Sequence, residues 1–489
     1  MKTTAIILAG GLSRRMKRNK LNLLIEGESM LEKVFHTVLE AGFHEIVLVS
    51  SEGTTLPDLS GRTEGKPMPH EEIGEDNGIQ SKFSLPGYVH VLNPRPEDGI
   101  SYSIRLGVQA SDPEADGWVF LMGDQPFLTA KTLNQLKEQF TKNPSRIIQP
   151  VYGNHPGGPV FFPSSLKHEL ISLAGDTGGR QVMEKYPELI LRELLTDTKE
   201  AVDLDSRDEY EAYAGKTRVL VKGAGDLATG VIQALYQAGF EVIATEIPDP
   251  SCIRTEVAFA SAVAEGEKTI DGITAVRTDS LEEAAAILAR DQVPILIDPT
   301  LTKLEEIQPE VFVDAVIAKR NTGTTMHLAP LVIALGPGFT AGVDCHAVIE
   351  TMRGESLGRI FTEKGSTALP DTGAPGLIAG EDVRRVIHAP ASGTLKRIRQ
   401  IGDIVEKDEV IAMIGDAEVR STLNGTLRGL IQDGFEVKNG LKIADVDPRP
   451  DPRLAFAISD KAQTLGQAVI KAITTLKALN PAEDQSQDQ

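Results

Sequence analysis

The chain has 489 residues, 41% of them hydrophobic and 25% charged, which is enough to build more than one core and excludes a largely disordered protein. A formal net charge of -20 argues against a surface that neutralises many phosphates, so no nucleic-acid partner is expected, while a small anion in a local pocket remains open. The only cysteines, Cys252 and Cys345, exclude a disulfide framework and a zinc cluster and fit a reducing, cytoplasmic setting.

The first apolar run, Ala5–Leu8, is too short for a signal segment and leads straight into glycines and arginines. No uncharged stretch of about eighteen apolar residues follows, so no membrane partner is expected. From Thr4 to Asp205, β-rich runs (Ala5–Leu8, Glu45–Ser50, His90–Leu92, Gly117–Met122 and Ile147–Val151) alternate with helical stretches such as Met30–Ala41. That alternation predicts an α/β domain with a mostly parallel sheet over residues 1–213. Residues 52–86, rich in Gly, Pro, Glu and Ser without periodicity, read as an excursion loop.

Four pieces of this domain carry candidate chemistry. The first strand, ending at Leu8-Ala9, runs into Gly10-Gly11, Ser13 and Arg15, with Lys20 close behind. Glycines let backbone N–H groups approach a triphosphate, and Arg15 and Lys20 offset its charge. Asn93-Pro94 and the stretch Gly99–Ser103 place Ser101, Ser103 and amide donors before a helix, whose N-terminus favours an anion or a base edge. The strand Trp118–Met122 ends at Asp124, on the edge of an open α/β sheet where ligands bind, so Asp124 is a candidate metal ligand. Asp203 and Asp205 flank Leu204 at strand spacing and could complete that metal site. Taken singly, the glycines fit an ordinary turn and Asp124 fits a helix cap; their joint order favours a site.

A second α/β start follows at Arg218–Val221, leading into Gly223-Ala224-Gly225-Asp226 and Gly230, with Glu246 at the end of the next strand. A strand, a glycine turn, a helix and an acidic residue about 20 positions on make a Rossmann-like fingerprint. Gly223, Gly225 and Glu246 are therefore candidates for holding a dinucleotide, against the plainer reading of a tight strand–helix turn with Glu246 exposed. Further along residues 217–385, His346, Glu350 and Arg353 would share one face if helical. From 386 to 447, Gly393-Thr394-Leu395 recurs as Gly425-Thr426-Leu427, and Gly402-Asp403-Ile404-Val405 as Gly434-Phe435-Glu436-Val437, in one 32-residue register. The repeat predicts a small all-β domain. Residues 448–479 read as a helical segment and 480–489 as a disordered tail.

Leu8-Ala9-Gly10-Gly11 with Ser13, Arg15, Met16 and Lys20, then Asn93-Pro94, Gly99–Ser103, Gly123-Asp124-Gln125-Pro126 and Asp203-Leu204-Asp205, resemble the MobA-like nucleotidyltransferases, and in particular the molybdenum cofactor cytidylyltransferases. The resemblance implies nucleotidyl transfer from CTP, or GTP, with Mg²⁺, onto the terminal phosphate of molybdopterin, with pyrophosphate released. It assigns Lys20 and Arg15 to the triphosphate, Asp124 to the metal, and Ser101 and Ser103 to the nucleoside side. Departures exist: Lys17 stands where a glycine is usual, and Leu-Ala-Gly-Gly is closer to guanylyltransferases.

Residues 222–230, Lys319-Arg320-Asn321, Gly336-Pro337-Gly338-Phe339 and Asp445–Arg449 resemble the YqeB-like accessory proteins of selenium-dependent molybdenum hydroxylases. The repeat resembles the barrel-sandwich (hammerhead) fold of biotinyl and lipoyl carriers, yet the hairpin Asp416–Ser421 has no lysine to modify, which leaves a structural or docking role. Together the resemblances imply a maturation factor with a molybdenum hydroxylase as client, and molybdopterin as the alternative to a dinucleotide in the second domain. The alternatives are a non-catalytic chaperone for the cofactor and a nucleotidyltransferase acting on another small phosphate.

Overall fold

The computed structural model describes residues 1–11, 19–57, 82–85, 87–371, 380–381 and 383–479. Ser13, Arg15, most of the expected excursion loop and the expected tail lie outside the described residues. The chain divides into two compact units, Met1–Gly215 and Lys216–Gln489, and each is α/β at its centre.

In the first unit the strand Thr3–Ala9 is buried along its whole length. It lies between two parallel neighbours, Glu45–Ser50 and Gly117–Met122. A strand walled on both faces must be apolar throughout, which explains why Ala5–Leu8 shows no alternation. Its side chains feed two cores: Ala5 and Ile7 join Phe35, Leu121 and Leu133 on one face, and Ile6 and Leu8 join Val47, Ile104 and Phe162 on the other. Tyr88–Leu92 extends the parallel set beyond Glu45–Ser50. Val160–Pro163 runs antiparallel between Gly117–Met122 and Ile147–Tyr152, so the sheet is mixed at that side. Lys82–Leu85, within the stretch read as a loop, pairs antiparallel with Tyr88–Leu92 at the far edge.

Helix Met30–Ala41 illustrates how local signals set the frame. Ser29 and Glu32 form a reciprocal capping box, Gly42 ends the helix in the left-handed conformation, and Met30, Leu31, Val34, Phe35, Val38 and Ala41 make one buried stripe.

The second unit contains a sheet in which Arg218–Lys222 lies between Glu241–Glu246 and Val311–Asp314, all parallel. Its chain order reverses at Arg218–Lys222, the arrangement in which open α/β sheets open a crevice. Helix Asp226–Gln237 follows Gly225 and packs along helix Asp460–Leu479. A Cβ on Gly466 would stand 2.5 Å from the Gly230 carbonyl oxygen, so the two backbones touch. The segment expected as one helix is two, Arg453–Phe456 and Asp460–Leu479.

Residues 386–447 form a barrel-sandwich of two short sheets, with Val386–His388, Lys442–Asp447, Gly425–Leu430 and Ile404–Val405 in one and Ala417–Arg420, Val410–Ile414, Gly393–Arg397 and Glu436–Val437 in the other. The 32-residue repeat has a direct spatial meaning. Val405 pairs with Gly425 and, by exchange of halves, Val437 pairs with Gly393.

Candidate active site

Because the central strands of the first unit run parallel, their carboxyl ends open onto one edge, where three loops meet. Gly10 follows Thr3–Ala9. Gly123, after Gly117–Met122, donates its N–H to the Leu8 carbonyl at 3.1 Å, and Asn93, after Tyr88–Leu92, donates to the Ser50 carbonyl at 2.7 Å. The loops wall a cleft of about 700 Å³ that includes Leu8, Gly10, Gly11, Lys20, Ser103, Asp124 and Asp205. Ala9 is buried, its methyl in the core and not among the residues that line the cleft. A separate cleft of about 920 Å³, walled by Lys33, His36, Phe127 and Thr129 among others, contains none of the predicted site residues.

The wall of the cleft on the Ser103 side is held from inside. The buried Asn93 donates from Nδ2 to Ser103 Oγ at 3.0 Å and accepts from the Arg95 N–H at 2.8 Å. Ser103 lines the cleft. Ser101 is buried, and its hydroxyl has no hydrogen-bond partner among the described residues. The helix N-terminus is not the free anion site that the spacing suggested: the Ile100 N–H donates to Asp176 Oδ1 at 3.0 Å and the Ser101 N–H to the Gly175 carbonyl at 3.4 Å. Sequence reasoning missed Asp176, although Gly175-Asp176-Thr177-Gly178 carries turn chemistry that could have drawn notice.

The charged end is built on Lys20. Asn19 caps a short turn at Lys20–Asn22 by accepting the Leu21 N–H, and from there Lys20 Nζ pairs with Asp124 Oδ2 and lies 2.7 Å from Asp205 Oδ1. Asp205 is set by the cap of helix Arg207–Ala214, where Glu209 accepts N–H bonds from both Asp205 and Ser206. Burial works against the Lys20 charge, but the Asp124 and Asp205 carboxylates outweigh it and hold the ammonium above its ordinary 10.5. Residues 203–205 belong to no strand, and Leu204 between the two aspartates is buried. The Asp203 carboxyl is pushed above its ordinary value by burial and by the Asp124 charge, against a hydrogen bond from Gln125.

Among the described residues no group of three or more His, Cys, Asp or Glu side chains converges as a metal site. The three-aspartate set expected from sequence is thus corrected: Lys20 stands between Asp124 and Asp205. A Mg²⁺-like ion nevertheless fits, because such ions are held by one or two carboxylates and completed by substrate phosphates and water. Asp124 is 7% exposed and its Oδ1 has no hydrogen-bond partner among the described residues, an orphaned buried oxygen of the kind a cation satisfies.

In the second unit Gly223 adopts a φ of +95° and Gly225 precedes helix Asp226–Gln237 as its cap, which matches the predicted turn. Glu246 does not match its expected role. Its Oε2 accepts the Ala224 N–H and its Oε1 the Ile247 N–H, each at 2.8 Å, so the carboxylate braces the glycine turn rather than standing ready for a ribose. Burial raises its pKa against those two bonds. His346, Glu350 and Arg353 share no helix either, since Ala347–Ile349 is a strand. His346 Nδ1 accepts the Val332 N–H, Glu350 accepts from Met352 and Leu369, and Arg353 forms a bidentate pair with Asp460. Cys252 and Cys345 are free thiols pushed up to about 12 by burial.

Residues 5–189 match the MobA-like NTP transferase domain family. The chain is 46% identical over 263 residues to the uncharacterized protein YqeB of Escherichia coli (strain K12), covering 54% of this chain and 48% of that protein. It therefore spans about half the length of that relative. It is 29% identical over 210 residues to the purine catabolism protein PucB of Bacillus subtilis (strain 168), covering 42% of this chain and 93% of that protein. Among solved structures, Rv0371c of Mycobacterium tuberculosis H37Rv is 20% identical, with a TM-score of 0.35 over 43% of this chain and 97% of that one. No helix among the described residues is long and apolar enough to cross a membrane.

Proposed function

From the premise that residues 5–189 are a MobA-like NTP transferase domain, we propose that the protein transfers a nucleotidyl group from CTP, or GTP, to the terminal phosphate of molybdopterin. The reaction serves maturation of a molybdenum hydroxylase of the selenium-dependent kind. An oxygen of the acceptor phosphate attacks the α-phosphorus, the bond from that phosphorus to the bridging oxygen breaks, and pyrophosphate leaves with the electron pair. Little covalent chemistry is asked of the protein, so positioning and charge neutralisation supply the rate.

The observation that carries this reading is Lys20, held between Asp124 and Asp205 at the edge of a cleft floored by Gly10 and Gly11. A triphosphate entering there meets an ammonium already oriented and a stretch of backbone without side chains. Asp124 is the residue to hold Mg²⁺, which when bound neutralises charge on the phosphates. Leu8 and Ser103 form the nucleoside wall. The second unit, with the barrel in it, holds or delivers the product to the client hydroxylase. Incubation with CTP or GTP, Mg²⁺ and molybdopterin is expected to release pyrophosphate; absence of release with every nucleotide overturns the proposal. A panel of sugar and alditol phosphates tests the acceptor.

A further inference from the structure

Helix Ile100–Ala110 begins without a side-chain cap of its own, at a Gly99 with φ +82°, and helix-start amides need partners. The partners come from a turn 76 positions further along: Asp176 Oδ1 accepts the Ile100 N–H at 3.0 Å, and the adjacent Gly175 carbonyl accepts the Ser101 N–H at 3.4 Å. The fit is close enough to exclude a side chain, since a Cβ on Gly99 would stand 2.9 Å from both Asp176 Oδ1 and the Gly175 oxygen. In the same turn, a Cβ on Gly178 would meet the Ile100 side chain at 3.1 Å. One turn along the helix, Ser103 accepts from Asn93 and abuts Gly10. A continuous series of contacts therefore runs from Asp176 through the helix start to the glycine loop.

We propose that Asp176 is a positioning residue for the nucleotide cleft: by accepting the Ile100 N–H it sets the register of the first helical turn and, through Ser103 and Asn93, the nucleoside wall. This rests on the nucleotidyl-transfer reading and adds to it a residue outside the motifs that suggested it. Lys20 and Asp124 sit on other loops, so loss of Asp176 falls on nucleotide binding and KM more than on kcat.

The test compares Asp176→Ala and Asp176→Asn with the wild-type full chain. Binding of Mg·CTP and Mg·GTP is measured by calorimetry, and hydrogen exchange is followed over Gly99–Ser103. Asp176→Ala is expected to weaken binding about tenfold, as loss of one such hydrogen bond implies, and to speed exchange in that segment. Asp176→Asn keeps an acceptor oxygen and is expected to restore both. Unchanged binding by Asp176→Ala overturns the inference, as does Asp176→Asn being equally impaired, because negative charge would then be the function. If Asp176→Ala does not fold, Gly99→Ala disturbs the same contact from the other side, and wild-type affinity in that variant also overturns it. Wild-type protein that binds neither nucleotide sinks the nucleotidyl-transfer reading itself, whereas binding that ignores Asp176 sinks this inference alone.

Discussion

Gly10 and Ser103 meet with no room for a side chain: a Cβ on Gly10 would stand 2.8 Å from the Ser103 hydroxyl oxygen and 3.2 Å from the Asn93 amide nitrogen. Gly10→Ala must force those groups apart, and overpacking of this kind costs about 1–3 kcal/mol. We expect kcat/KM for the nucleotide to fall by roughly tenfold or more, read from initial rates of pyrophosphate release. Gly11, where an added Cβ meets nothing within 4 Å among the described residues, supplies the stability control, and Gly11→Ala should melt like wild type. Unchanged kinetics in Gly10→Ala would show that the loop and the helix start need not touch.

Lys20 and Asp124 separate two contributions to turnover. Lys20→Ala removes the ammonium held against Asp124 and Asp205, and kcat is expected to fall on the order of 10²–10³, the usual loss for one preorganised electrostatic group. Asp124→Asn keeps the side-chain volume but replaces one carboxylate oxygen, weakening the group proposed to hold Mg²⁺. In thermal melts with nucleotide present, added Mg²⁺ should raise the Tm of wild type and leave Asp124→Asn nearly unmoved. A full Mg²⁺ response in that variant would remove Asp124 from the metal site.

Much of this arrangement is legible in the sequence because burial leaves a pattern. Ala5–Leu8 and Trp118–Met122 are unbroken apolar runs since both faces of those strands are covered, and their carboxyl ends name Gly10 and Asp124 directly. The barrel is legible from its 32-residue repeat. What cannot be read is long-range pairing: Lys20 with Asp205 spans 185 positions, and nothing local marks Asp205 as its partner. Asp176 escapes for the same reason, since its acceptor role exists only once the turn lies on the helix start. Glu246 fits the dinucleotide spacing, yet the spacing does not say whether the carboxylate faces a ribose or its own glycine turn. The i, i+4 spacing of His346 and Glu350 is equally compatible with the strand that forms.

His90 gives the first unit a pH response. It is 7% exposed, with Nε2 2.9 Å from Ser50 Oγ, and burial holds its pKa below the ordinary 6.5. Above 6.5 the ring is neutral in folded and unfolded chains alike. As pH falls below 6.5 the unfolded chain takes up a proton first, so stability declines down to the folded-state pKa and then levels off. Melting curves across this window should show wild type losing Tm on acidification, with a shallower loss in His90→Gln. Parallel pH profiles for the two proteins would rule the histidine out as the source.

Glu246 distinguishes a brace from a ribose ligand. Glu246→Ala would leave the buried Ala224 N–H without its acceptor, at a cost of about 1–3 kcal/mol. Glu246→Gln keeps one acceptor oxygen and should recover most of that stability. If the carboxylate instead bound a ribose, both variants would lose dinucleotide affinity while melting like wild type.

Gly466 tests whether close backbone contact or helix propensity decides the stability of the second unit. Alanine is favoured over glycine inside a helix by about 1 kcal/mol, so propensity alone predicts that Gly466→Ala stabilises helix Asp460–Leu479. The added Cβ, however, would stand 2.5 Å from the Gly230 carbonyl oxygen and 2.7 Å from the Ala234 Cβ. Neither neighbour can rotate away, one being backbone and the other a methyl without rotamers. On the facing helix, a Cβ on Gly230 would stand 2.5 Å from the Ala462 carbonyl, so Gly230→Ala should behave alike. With overpacking at about 1–3 kcal/mol, the steric cost matches or exceeds the propensity gain. Both variants should therefore melt below wild type, and Gly466→Leu lower still. A higher Tm for Gly466→Ala would mean that the two helices separate at little cost and that their contact contributes little to this unit.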